Sequence, residues 1–246
     1  SKATQPLLLL CAEANDALTR PYAELLQQKG FRVLEAALFH EQVLQTVLPS
    51  GLDPGRYVTV VPSPRAAMAL AQQPWFEGQK THLRAITPGR DTARVLSGLG
   101  VEPIWSAQAG FRSEPLPAPW VKMPKLYLGN AALAHAELAF DLGGASDQWL
   151  PVYRRRLHHR APWTPFAARM LSQADRLTVL TLSPSQRSGF EAALTKLEIR
   201  RPRDLRLVSL TSRTTGRFSA KFWTEIAVPP QSNRKSLLEL LQDLFP

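Results

Sequence analysis

Residues 57–68 read YVTVVPSPRAAM and residues 177–188 read LTVLTLSPSQRS, so a largely apolar run meets a Ser-Pro pair twice. Serine favours the N-cap of a helix because its hydroxyl accepts a hydrogen bond from an N–H of the first turn. Proline fits that first turn, where it needs no N–H. Each copy therefore predicts a strand, a tight turn and a helix whose N-terminus can hold an anion.

Strand and helix patterns alternate along the whole chain, and residues 101–105 are one of the short apolar runs that predict a strand. This alternation favours an α/β fold with parallel sheets flanked by helices. Ser63 is followed 29 residues later by Thr92, and Ser183 is followed 31 residues later by Thr214. Loops after parallel strands line ligand crevices. The repeat therefore predicts two α/β domains that face each other across a cleft.

The composition is that of a globular protein: 44% of the 246 residues are hydrophobic and 20% are charged. Cys11 is the one cysteine, so an internal disulfide is excluded. The sequence has no Cys/His cluster for a metal site, and we expect no cofactor. A reducing compartment, the cytoplasm, fits this cysteine usage. No apolar stretch approaches the ~20 residues of a membrane helix, so we expect no membrane association.

The chain carries a net charge of +10 and has a pI near 10.2, which favours a polyanionic partner. Residues 154–160 (RRRLHHR) form the densest basic segment. This segment fits a solvated face, a rim that attracts an anionic substrate, or a basic nucleic-acid-binding module. No aromatic residues interleave with it, as stacking on bases requires, so nucleic acid is the least favoured partner.

Several short motifs carry a resemblance to a known family through their order and spacing. They are Ser63-Pro64-Arg65-Ala66, Gly89-x-x-Thr92-Ala93 with Leu99-Gly100, Gly129, Val152-Tyr153-Arg154-Arg155, Ser183-Pro184-Ser185, and residues 208–215. Over nearly its full length the sequence resembles uroporphyrinogen-III synthases. The resemblance implies two α/β domains, one formed by residues 1–37 and 156–246 and the other by residues 42–149. A two-stranded ladder of residues 38–41 and 150–155 would join them.

The resemblance also implies the reaction. Enzymes of this family take hydroxymethylbilane, a linear tetrapyrrole with eight carboxylates, remove water, invert ring D and close the macrocycle to uroporphyrinogen III. They use no cofactor. A monomer that makes transient contact with hydroxymethylbilane synthase is the expected state.

Site residues follow from the same motifs. Tyr153 matches the family tyrosine that assists the leaving hydroxyl group, and a phenol of pKa ~10 keeps its proton at neutral pH. The residues that match substrate-binding positions are Ser63, Pro64, Arg65, Gly89, Thr92, Gly129, Asn130, Ser183, Pro184, Ser185, Thr211 and Thr214. The two threonines Thr92 and Thr214 also fit simple helix caps.

At a few positions the sequence departs from the family pattern. Cys11-Ala12-Glu13 stands where the family has Thr-Arg-Pro, Leu128 precedes Gly129 where an arginine is frequent, and Thr211 replaces a glycine. The loss of basic groups weakens the case for catalysis and leaves two functions open: a divergent synthase, or a non-catalytic paralogue that binds a tetrapyrrole or another polycarboxylate.

Overall fold

A computed structural model describes residues 6–11, 17–37, 39–108, 110–111, 114–131, 146–157, 169, 171, 173–196, 202–210 and 222–246. The chain divides into two compact units. The first unit comprises residues 1–40 and 156–246, and the second comprises residues 41–155. The arrangement of two domains joined by a two-stranded ladder stays a prediction.

Strands and helices alternate in the described residues, which confirms the α/β class. The strands are β1 (Pro6–Cys11), β2 (Arg32–Ala37), β3 (Phe39–Val43), β4 (Val58–Val60), β5 (Arg84–Thr87), β6 (Trp105–Ser106), β7 (Lys125–Asn130), β8 (Gln148–Leu157), β9 (Arg176–Thr181), β10 (Asp204–Ser209) and β11 (Glu225–Ala227). The helices are α1 (Arg20–Gln28), α2 (Pro64–Ala71), α3 (Phe76–Gln79), α4 (Arg90–Gly98), α5 (Ala118–Val121), α6 (Pro184–Lys196) and α7 (Arg234–Leu244), with 3-10 turns at Pro54–Arg56 and Lys80–His82. Within the described ranges, no helix has the length and apolarity that a membrane crossing requires.

The first unit contains a parallel sheet with the strand order β11-β10-β9-β1-β2. Neighbouring strand residues belong to different core clusters: Leu207 lies in the cluster with α6, and Val208 lies in the cluster with α1 and α7. Because successive side chains of a strand point to opposite faces, helices cover both faces of this sheet. Because the strands are buried on both faces, their sequences are largely apolar.

The second unit contains a six-stranded sheet with the order β3-β8-β7-β4-β5-β6. Strands β8, β7, β4, β5 and β6 run parallel to one another. Ala85 packs in the cluster that contains α2 and α4, whereas Ile86 packs in a cluster with Phe111 and Leu116. This sheet is therefore also buried on both faces, and its parallel strands end at a common carboxyl edge.

The strand predicted at residues 101–105 is wrong for most of its length, since β6 begins only at Trp105. Val101 instead closes α4: its N–H donates to the carbonyl of Leu96, and Gly100, with φ of 89°, donates to Ser97. This pair of bonds is the Schellman ending of a helix. Val101 is 2% exposed, so its apolar side chain belongs to the helix end.

Candidate functional site

The carboxyl edge of the six-stranded sheet brings predicted residues from distant parts of the sequence together. Ser63 follows β4, Gly89 follows β5, and Asn130 is the last residue of β7. Tyr153 of β8 is in register with Asn130, next to an irregularity between Gly129 and Asn130. Since these strands are parallel neighbours, the four positions lie along one edge.

Ser63 caps α2 as the sequence predicted. Its backbone is extended (φ −158°, ψ 160°), and its Oγ accepts the N–H of Ala66 at 3.1 Å. Pro64 occupies the first helical position, where it contributes no N–H. The serine therefore satisfies one of the N–H donors of the helix end.

Tyr153 lies beside this cap and is 9% exposed. Burial raises the pKa of its phenol above 10.0, and the Glu41 carboxylate raises it further. Arg155 lowers the pKa by less than burial raises it but by more than Glu41 raises it, and a hydrogen bond with the Ser63 side chain and the Arg65 charge lower it by smaller amounts. The net shift is upward, so Tyr153 keeps its proton at neutral pH and can donate a hydrogen bond.

Glu41 connects two arginines of the same edge. Its Oε2 lies 2.7 Å from Nε of Arg65, and its Oε1 lies 2.6 Å from Nε of Arg155. The exposed fractions of the side chains are 9% for Glu41, 19% for Arg65 and 10% for Arg155. Charges this deeply buried need partners, because desolvation of an unpaired ion costs several kcal/mol. The three side chains carry one net positive charge.

Asn130 fixes the backbone of the same strand pair. Its Oδ1 accepts the N–H of Arg155 at 3.1 Å, and the Tyr153 carbonyl accepts the N–H of Ala131 at 2.8 Å. Asn130 is 7% exposed. We call these six residues the Tyr153 cluster: Glu41, Ser63, Arg65, Asn130, Tyr153 and Arg155.

At the start of α4, Gly89 occupies the N-cap position in an extended conformation that any residue adopts (φ 176°). Thr92 follows in the first turn and is 3% exposed. The interpretation of Thr92 as the cap is therefore wrong. Its predicted contact with substrate stays a prediction.

The first unit repeats the serine cap. Ser183 Oγ accepts the N–H of Gln186 at 3.3 Å, and the Gln186 side chain accepts the N–H of Leu182 at 2.6 Å. The side chains of Pro184 and Ser185 are not described. Thr211 and Thr214 lie outside the described residues.

Sequence reasoning missed Glu41 and Arg155. The basic run predicts a surface position for Arg155, yet this residue is buried and paired, while Arg156 next to it is exposed. The available signal was alternation: Arg155 stands two positions after Tyr153 in a strand, so both point to the same face. No local pattern singles out Glu41.

One of the departures from the family pattern lies in the core of the second unit. Leu128 is 1% exposed and packs in the core of the second unit, so this position contributes no basic group to the edge. Glu13 lies outside the described residues. Among the residues that the structure describes, no three His, Cys, Asp or Glu side chains are grouped to hold a metal ion.

Comparison with models of known protein families gives no match, and no curated protein sequence matches either. Solved structures do match. A uroporphyrinogen-III synthetase from Helicobacter pylori is 14% identical and superimposes with a TM-score of 0.57 over 98% of this chain and 100% of the other. The chain has the uroporphyrinogen-III synthase fold. A mutant uroporphyrinogen III synthase from Thermus thermophilus is 17% identical, with a TM-score of 0.49 over 98% of this chain and 97% of the other.

Proposed function

We propose that the chain is a uroporphyrinogen-III synthase, a lyase that cyclises hydroxymethylbilane with inversion of ring D. The observation that supports this proposal most is the Tyr153 cluster. It combines a protonated phenol with two arginines at the carboxyl edge of a parallel sheet, on a fold shared along the full length of a synthase. Ligands of α/β proteins bind at such edges.

In this proposal the substrate is bound by charge and reacts with help from Tyr153. A polycarboxylate suits a chain of net charge +10, and arginines can hold its acetate and propionate arms. The Tyr153 phenol donates its proton to the terminal hydroxyl as the C–O bond breaks, so that water leaves and an azafulvenium cation remains. For ring D to be inverted, the α-carbon of ring D that bears the bridge to ring C attacks this cation, and the bond from that carbon to the bridge then breaks to leave a second cation on the bridge. The other α-carbon of ring D attacks the bridge and releases one proton, so the net loss is one water molecule. Which carbon attacks depends on how the bound chain is folded.

The same proposal includes further substrate contacts, which would be made by Pro64, Gly89, Thr92, Gly129, Ser183, Pro184, Ser185, Thr211 and Thr214. It also includes a two-domain organisation and catalysis without a cofactor. The protein would be a cytoplasmic monomer that makes transient contact with hydroxymethylbilane synthase.

A second candidate function is binding without catalysis. Leu128 is buried in the core where the family pattern has a basic residue, and Glu41 already engages both arginines of the cluster. A site with fewer available cations can still hold a tetrapyrrole polycarboxylate while turning it over poorly.

A product assay separates the two candidates. Hydroxymethylbilane synthase generates the linear substrate in the presence or absence of the chain, and the oxidised products are separated into type I and type III isomers. The synthase proposal expects type III as the main product, at a rate proportional to the amount of chain added. Type I alone at the spontaneous rate would refute it, and porphyrinogen binding without turnover would then support the second candidate.

A further inference from the structure

Glu41 is the member of the Tyr153 cluster to which no role has been given. It lies on β3, whereas Arg65 lies at the start of α2 and Arg155 on β8. One carboxylate therefore joins three separate elements through two contacts, of 2.7 Å and 2.6 Å. Arg155 Nε donates a hydrogen bond to this carboxylate, and such charge-assisted bonds are strong and directional, whereas Arg65 is held by close ion pairing.

Two further contacts tie this ion-pair network to Tyr153. Arg155 is two residues from Tyr153 on the same strand, and its N–H is held by Asn130 Oδ1 at 3.1 Å. Arg65 follows the Ser-Pro turn whose serine hydrogen-bonds to the phenol. The charged groups that act on the phenol are thus Arg155, Glu41 and Arg65, with Ser63 as its neutral partner.

We infer that Glu41 is a positioning residue: its carboxylate holds the guanidinium groups of Arg65 and Arg155 beside the Tyr153 phenol. This inference rests on the proposed function for its effect on turnover. Its effect on the ionisation of Tyr153 holds for the protein with or without substrate.

Loss of the Glu41 charge should affect turnover and substrate binding differently. Glu41→Gln keeps the size of the side chain and removes its charge, so both arginines lose their anchor. We expect kcat to fall about tenfold or more, since small displacements of catalytic groups are costly. KM is expected to stay unchanged or to fall, because an anionic substrate then meets two arginines with no competing carboxylate.

The test compares three variants in the full chain. Glu41→Gln is the main change, and Glu41→Asp keeps the charge and should restore part of kcat. Glu77→Gln is the matched control, because it removes another ion-paired glutamate of the second unit, one that contacts Lys80 at 2.7 Å and is 77% exposed. Circular dichroism checks that each variant is folded, and if Glu41→Gln does not fold, Glu41→Asp is compared with wild type alone.

A second readout does not depend on activity. Tyrosinate absorbance is followed during alkaline titration, and the contribution of Tyr153 among the four tyrosines is obtained by subtracting Tyr153→Phe. Glu41→Gln should move the ionisation of Tyr153 to lower pH, since a negative charge that raised its pKa is gone. Glu77→Gln should leave it in place.

The outcomes distinguish this inference from the proposed function. A fall in kcat without a rise in KM, together with the shifted titration, supports both. An active wild type whose kcat and Tyr153 titration are unaffected by Glu41→Gln overturns the positioning role. If wild type produces no type III isomer, the proposed function fails. The tyrosinate titration alone then tests the role of Glu41, and an ionisation of Tyr153 at the same pH in Glu41→Gln and wild type overturns the inference.

Discussion

The two Ser-Pro turns have the same cap but different neighbours. Ser63 and Ser183 each accept the N–H of the residue three positions on, at 3.1 Å and 3.3 Å. In the second unit the charges near the turn come from three elements and surround a tyrosine. Among the described residues of the first unit, the charged pair that follows the turn is Arg187 and Glu191, four residues apart on α6 and 3.3 Å from each other.

The charged pair of the first unit is enclosed by apolar residues. Arg187 and Glu191 are 8% and 9% exposed, and Glu191 also accepts the indole N–H of Trp223. Trp223 stacks on Phe190 with ring centres 5.5 Å apart. The Arg187–Glu191 pair is satisfied within one helix and one tryptophan, whereas the Tyr153 cluster gathers charge around an ionisable phenol. In our proposal both turns therefore contact substrate, and only the turn of the second unit also borders the catalytic tyrosine.

The largest effect is expected where the first unit depends on its buried pair. Glu191→Leu removes the acceptor of both Arg187 and Trp223, and breaking a buried ion pair from one side costs about 3 kcal/mol. Urea denaturation followed by circular dichroism measures the loss of unfolding free energy. The exposed Glu77→Leu serves as the control and should change it little. A loss below about 1 kcal/mol would show that α6 does not depend on this pair.

Next in size is the effect of Tyr153→Phe on turnover. The variant keeps the ring and removes the proton donor, so kcat should fall about 100-fold, equal to about 2.7 kcal/mol in the barrier. KM should change much less, because the phenol is proposed to act on the departing hydroxyl. Steady-state kinetics of type III formation provides the measurement. A wild-type rate would make Tyr153 a packing residue and remove the functional difference between the two turns.

The matched caps give a smaller and more direct comparison. Ser63→Ala and Ser183→Ala should each lower the unfolding free energy by about 1 kcal/mol, because each leaves one helix N–H without its acceptor. The kinetic consequences should differ. Ser63→Ala also removes a hydrogen bond to Tyr153 and should lower kcat, whereas Ser183→Ala should act on KM alone. Equal kinetic changes in both variants would contradict the proposed division of roles.

The smallest effect concerns pH. Burial raises the pKa of Glu191 above 4.5, against smaller lowering effects of Trp223 and Arg187. The folded chain therefore binds this proton more tightly than the unfolded chain, so the stabilisation is complete below pH 4.5 and is lost as pH rises through the folded pKa. Glu191→Gln cannot titrate. The unfolding free energy of wild type minus that of Glu191→Gln should decrease from about pH 4 to neutral pH, as measured by urea denaturation. A constant or rising difference would contradict the raised pKa.

Local sequence was sufficient for much of the fold. The caps at Ser63 and Ser183 depend on residues three positions apart, and the helix that follows each of them was predicted correctly. The error at residues 101–105 has a local cause as well. An apolar run after a glycine fits both a strand and the closing residue of a helix, and only the packing of Val101 distinguishes them.

The candidate site was predictable in part. Ser63, Arg65, Asn130 and Tyr153 could be named from short motifs and their resemblance to a family. Arg155 could not, because the dense basic run around it is typical of a solvated face. A strand alternates its side chains, so one arginine of such a run can be buried while the next is exposed.

The sequence by itself determined the strand-turn-helix units, the serine caps and the apolar strands, because each depends on neighbours within a few residues. Only the tertiary structure decided that Glu41, Arg65 and Arg155 meet beside Tyr153. These residues lie on a strand, a helix and a second strand. The strand order β3-β8-β7-β4 brings these elements together, and no single segment of the sequence determines that order. The role of Glu41 as the partner of two arginines is visible only when its neighbours in space are known, because residues far apart in the sequence supply those neighbours.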